Sequence, residues 1–159
     1  MILAIDPGNT ESGWCLIDGE YKVIAKGKDD NDAVLDMIDT FDEVYGLSHV
    51  VIEMIASYGM AVGQTVFDTC VWVGRFMQEA DHLSISYSQM YRKDIKMNLC
   101  GQTRAKDSNI RQALVDRFSY ERHAAKGGKG VKADPGFFFG FSKDMWAAYA
   151  VGVTYLDMR

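Results

Sequence analysis

Cysteine is scarce in this chain. Cys15, Cys70 and Cys100 lie far apart among 159 residues, with no Cys-x-x-Cys spacing. That argues against a disulfide scaffold and against a zinc site, and it fits a reducing, cytoplasmic compartment. No apolar run reaches the ~18 residues of a membrane span. The opening "MILAIDPG" has neither the basic n-region nor the cleavage site of a secretory leader. Repeats are absent, as is any linker long enough to divide the chain, so one domain over residues 1–159 is expected. The chain also lacks net positive charge, at −5, which at first argues against a nucleic-acid partner. The distribution changes that. Residues 92–132 hold eleven Lys or Arg against four Asp or Glu, and the rest hold six against eighteen. One basic region on an acidic body suits a polyanion-facing surface, although a solvated basic loop of no function would read the same way.

What is present is a soluble globular composition, 48% hydrophobic and 25% charged. Residues 2–5, 13–17 and 21–27 read as strands, with Asp18-Gly19 as a hairpin signal, so the chain opens on a three-strand antiparallel meander. Residues 29–45 carry apolar side chains at helical spacing, with Asp29, Asp30 and Asp32 placed to favour the helix start. Residues 48–52 form a fourth, buried strand that ends at Glu53. A helix over 65–80, a fifth strand over 83–87, a short helix or turn over 88–99 and a helix over 104–118 follow. Residues 122–136, rich in Gly and Lys, read as a mobile segment. A final apolar helix spans 142–156 with Ser142 as its N-cap. The expected fold is an α/β domain with a mixed sheet flanked by helices.

Three carboxylates stand out. Asp6 ends the first strand just before a Pro-Gly turn, and Glu53 ends the fourth. Each follows buried aliphatic residues, where an unpaired charge is costly. Asp144 lies in the first turn of the final helix. If the two strands are neighbours and the helix packs over their ends, the three acids converge, and such a cluster calls for cations. All-oxygen ligands favour Mg²⁺ or Mn²⁺ over zinc. Singly, each acid would read as a turn residue or a helix cap.

The segments "AIDPGNTESGW", "VVIEMIASYG", "GQTRAKDSNIRQAL" and "SKDMWAAYAVGVTYLD" resemble the motif series of RuvC-type Holliday-junction resolvases, in particular the short phage-type members. The resemblance covers nearly the whole chain. It implies a ribonuclease-H-like fold and a homodimer that nicks four-way DNA junctions symmetrically with divalent metal. Asp6, Glu53 and Asp144 match the family's metal ligands. One position departs: the bacterial pattern has a second acid three residues after the first in the final helix, and here that residue is Ala147. Gly8 and Gly13 are expected to keep side chains away from a site that admits a DNA backbone, with Pro7 stiffening the turn.

For DNA contact, Arg92, Lys93 and Lys96 form one basic group, and Arg104, Lys106 and Arg111 a second. Each phosphate contact adds affinity and salt dependence. By the resemblance, Arg104 or Lys106 sits beside the metals, and Lys106 is the candidate to stabilise charge on the reacting phosphate. The loop 57–64 resembles the family loop that reaches the junction centre, where Tyr58 and Met60 could act as wedges, or Tyr58 could simply cover the core. Phe67, Val71 and Trp72 are left over once the helix over 65–80 has its core stripe, which makes that helix the candidate dimer face. Two other functions fit parts of the sequence. "DPGNTESG" also resembles the phosphate hairpin of actin-like and sugar-kinase ATPases, which need two such domains. Ala147 would suit a junction-binding protein without catalysis.

Overall fold

The computed structural model describes residues 1–159. Three strands, β1 (Ile2–Asp6), β2 (Glu11–Ile17) and β3 (Val23–Asp30), precede helix α1 (Asn31–Tyr45) and strand β4 (His49–Met54). Helix α2 (Gln64–His82), strand β5 (Ser86–Tyr91), helix α3 (Arg92–Cys100) and helix α4 (Asp107–Phe118) follow. A single-turn helix α5 (Glu121–Ala124) and a small hairpin of β6 (Gly130–Val131) and β7 (Asp134–Pro135) lead to the final helix α6 (Lys143–Met158).

The sheet runs β3-β2-β1-β4-β5. β1, β2 and β3 pair antiparallel, and β4 joins parallel to β1 and to β5. This is the expected ribonuclease-H-like mixed sheet. Side chains alternate along each strand. Leu3, Ile5, Val50 and Ile52 therefore pack with Val34, Ile38, Val73 and Phe76 of α1 and α2. Ile2, Ala4, Cys15, Ile17 and Val51 pack on the other face, under α6. α6 lies very close to that face: a Cβ on Gly152 would stand 2.7 Å from Ile17 and 3.1 Å from Ala4. The outer side of α6 is covered by Ile110, Leu114, Phe138 and Phe141, which explains why it is apolar nearly all round.

Several expected boundaries move. α1 starts at Asn31, so Asp29 and Asp30 close β3; Asp30 occupies the N-cap position of the helix, but its side chain makes no capping bond. Asp29 instead accepts a hydrogen bond from Trp14 Nε1 at 2.7 Å. The fifth strand is displaced to Ser86–Tyr91, and the helix expected over 88–99 begins at Arg92. β5 is an edge strand whose only buried residue is Met90, so it carries almost no apolar signal. α4 starts at Asp107, which leaves Arg104 and Lys106 in the preceding turn. Residues 122–136 are not a structureless segment, since Asp134 joins the hairpin to α5 through Arg122 at 2.9 Å and His123 at 2.8 Å. Ser142 occupies the N-cap of α6, but its side chain makes no capping bond. No helix is long and apolar enough to cross a membrane.

Candidate active site

Alternation and register together place the two strand-end acids. The parallel pairing matches Ile5 with Ile52, so Asp6 and Glu53 are the next residues along. Asp6 shares a face with Ala4, and Glu53 with Val51, the face under α6. β2 sets Gly13 opposite Asp6, and the first turn of α6 rests on that glycine. A Cβ at Gly13 would stand 2.5 Å from the Asp144 carbonyl oxygen and 2.8 Å from its Cβ. Asp144 alone is therefore enough to keep Gly13 bare. Gly8 is kept bare by the turn itself, where a Cβ would meet the Glu11 carbonyl at 2.3 Å.

The turn after Asp6 is pinned by buried polar groups. Ser12 Oγ donates to Asn31 Oδ1. Asn31 Nδ2 donates to the Gly8 carbonyl at 2.9 Å, and the Gly8 N–H donates to Ser12 Oγ at 3.2 Å. Both side chains are almost fully buried, so they form a closed network with high energetic stakes.

Asp6, Glu53 and Asp144 line one cleft of about 650 Å³, together with Arg92, Asp107, Arg111, Lys129, Trp146 and Ala147. Burial, then the neighbouring Glu53 and Asp144, push the Asp6 carboxyl up to about 7, against the pull of Arg92. Burial also raises Glu53, and Arg92 opposes it. Arg92 Nη1 is 3.2 Å from Glu53, and its Nη2 holds Asp107. Lys28 Nζ is 3.1 Å from both Asp144 and Glu11. No ion pair or side-chain hydrogen bond engages Asp6. As the side chains stand, no three acids close on one point at metal-ligand spacing, because Glu53 is turned to Arg92 and Asp144 to Lys28. The donor set, hard oxygens crowded in a partly dehydrated cleft, nonetheless suits a divalent cation.

The structure brings Asp6, Glu53, Asp144, Arg92 and Arg111 into the cleft. Arg111 lies over the Trp146 ring, 4.8 Å from its centroid. Lys93, Lys96, Arg104 and Lys106 lie outside its lining; Arg104 and Lys106 are exposed. Lys106 is thus not placed against the carboxylates, and its backbone N–H is taken by Asn109 Oδ1 at 2.9 Å. Tyr58 and Met60 stand 62% and 71% exposed in the loop after β4, so Tyr58 does not cover the core. Three participants escaped the sequence reading: Asp107, Lys28 and Lys129. Asp107 sat inside a segment read for its basic residues. Lys28 pairs with the side-chain-free Gly13 of β2, a neighbour that only the strand register reveals.

No family model matches the sequence, and no curated protein is significantly similar to it. Solved structures do resemble its fold. Thermus thermophilus RuvC in complex with a Holliday junction substrate superposes with a TM-score of 0.69 at 12% identity, covering 99% of this chain and 94% of that one. Fowlpox virus resolvase with its substrate Holliday junction DNA gives 0.59 at 12% identity, covering 100% of both chains. The yeast mitochondrial Holliday junction resolvase Ydc2 gives 0.56 at 12% identity, covering 98% of this chain and 77% of that one. The chain has the ribonuclease-H-like fold of the RuvC-type resolvases.

Proposed function

We propose that this protein is a divalent-metal-dependent endodeoxyribonuclease that resolves four-way and other branched DNA junctions as a homodimer, of the short phage type. The observation that carries the proposal is the meeting of Asp6, Glu53 and Asp144 in one cleft of a fold shared with proteins solved on Holliday junction DNA. Asp6, Glu53 and Asp144 would hold Mg²⁺ or Mn²⁺, which when bound activates water and stabilises the leaving oxygen in phosphodiester hydrolysis. The chain's own contribution is placement. β1 and β4 aim two carboxylates at α6, and Gly13 lets the third approach. Lys93, Lys96, Arg104, Lys106 and Arg111 bind DNA phosphates. Of these Arg111, in the cleft, takes the place beside the reacting phosphate that the sequence suggested for Lys106. Tyr58 and Met60 present apolar wedges to the junction centre. On α2, Phe67 and Val71 stand exposed and offer a two-fold interface, the symmetry that paired nicks require. Trp72, by contrast, is half-buried beneath Arg75.

The test is incubation with end-labelled four-way, Y-shaped and linear DNA, with and without Mg²⁺ or Mn²⁺. Metal-dependent paired nicks on the four-way substrate are expected. Binding without nicks would favour the second reading, a non-catalytic junction-binding protein, which Ala147 motivates because it lines the cleft without a donor.

A further inference from the structure

Each of two cations, Arg92 and Lys28, bridges an inner acid of the cleft and a more exposed acid. Arg92 spans Glu53, at 3.2 Å, and Asp107. Lys28 spans Asp144 and Glu11, each at 3.1 Å. In both cases the inner acid is the more enclosed: the Glu53 side chain is 14% exposed against 67% for Asp107, and Asp144 is 32% exposed against 49% for Glu11. Neither Glu11 nor Lys28 lines the cleft itself, so this bridge reaches Asp144 from the cleft's outer side. Asp6, between the two bridges, has no cation of its own.

We propose, on the footing of the metal centre proposed above, that Arg92 and Lys28 are built-in counter-ions standing in for the metal, and that Asp107 and Glu11 are docking acids that keep each cation when a divalent ion takes the inner carboxylate. Crowded carboxylates in a dehydrated cleft repel one another unless a positive charge lies among them. A divalent ion brings more charge to the same oxygens and displaces a monovalent side chain. A guanidinium or ammonium expelled with no acid to receive it opposes that exchange. Here the receiving acid is already in contact, and the planar fork of Arg92 grips both acids at once, so the exchange needs only the inner contact to open. Asp107 and Glu11 are positioning residues that act through the cation each holds.

A direct ligand, or a simple through-space charge, would also weaken metal binding when removed. A double-mutant cycle separates these from docking. Mn²⁺ affinity is measured by titration calorimetry on the whole protein for Asp107→Asn, Arg92→Met and the double variant. Asp107→Asn should weaken Mn²⁺ binding about fivefold or more, Arg92→Met should tighten it, and Asp107→Asn in the Arg92→Met background should change it less than about twofold. A parallel cycle on Glu11→Gln and Lys28→Met, at a more exposed bridge, should give the same coupling even if Arg92→Met folds poorly. Equal losses with and without the cation, in either cycle, overturn the inference and leave the metal centre standing. A wild-type protein that binds no Mn²⁺ overturns both.

Discussion

Replacing Asp6 by Asn should stabilise the metal-free protein at alkaline pH while abolishing cleavage. In the unfolded chain this carboxyl titrates near 3.8, and in the folded protein burial and its acidic neighbours push it up to about 7. The folded state therefore holds the proton more tightly. Its contribution to stability is complete below 3.8 and is lost as the pH rises through about 7. Across that window the loss amounts to at most ~4 kcal/mol. Asparagine has no charge to desolvate, but its amide needs partners in a half-buried place, at a cost of ~1–2 kcal/mol. A net gain of ~2 kcal/mol remains, or roughly 4–8 °C in Tm for a domain of this size. Thermal unfolding in EDTA at about pH 8 should show that gap, and the gap should close near pH 4.5. Mn²⁺ should then raise the Tm of wild type and leave Asp6→Asn unmoved. A variant less stable than wild type at alkaline pH, or a gap independent of pH, would refute the reasoning.

Gly13→Ala forces a Cβ to within 2.5 Å of the Asp144 carbonyl, so it should cost ~1–3 kcal/mol and suppress nicking more than junction binding, as melting and gel-shift assays would reveal. Replacing Arg104 and Lys106 together by Ala should lower the log–log salt slope of junction binding by about 0.9 per lost phosphate contact; an unchanged slope would mean that these exposed side chains do not face DNA. Ala147→Asp adds a like charge beside Asp144 in the same cleft, so Mg²⁺-supported cleavage should not rise, and a large gain in a metal titration would overturn that expectation. Phe67→Asp on α2 should shift the sedimentation of a dimer towards monomer, and an unchanged mass would place the interface elsewhere.

The meander was legible because β1 and β2 are short runs of apolar strand formers, buried almost throughout, and a turn signal separates β2 from β3. Asp18 does hold that turn, accepting from the Glu20 and Lys22 N–H groups at 2.8 and 2.9 Å. β4 was legible from its aliphatic run, and α6 from its length. β5 was misplaced because Ser86, Tyr87 and Gln89 are exposed on an edge and leave no periodic apolar trace. The three cleft carboxylates were legible because each interrupts an apolar stretch. The cations that bridge them were not, since a bridge depends on which strand lies next to which. Asn31 was hidden for a similar reason. It looks like an ordinary residue at a helix start, and only the fold shows that it ties the turn after Asp6 through Gly8 and Ser12.

That tie has a mechanical consequence. The cleft has two walls of different stiffness. The β1–β2 side is locked by hydrogen bonds among buried groups, which dissolved ions barely reach. The α3–α4 side is fastened between the starts of its two helices by Arg92 and the largely exposed Asp107, a contact that salt screens. Raising ionic strength should therefore loosen one wall and not the other. Salt would act twice on cleavage, first by weakening the attraction of DNA and again by letting the cleft change width. Cleavage rate should then fall more steeply with salt than junction binding does.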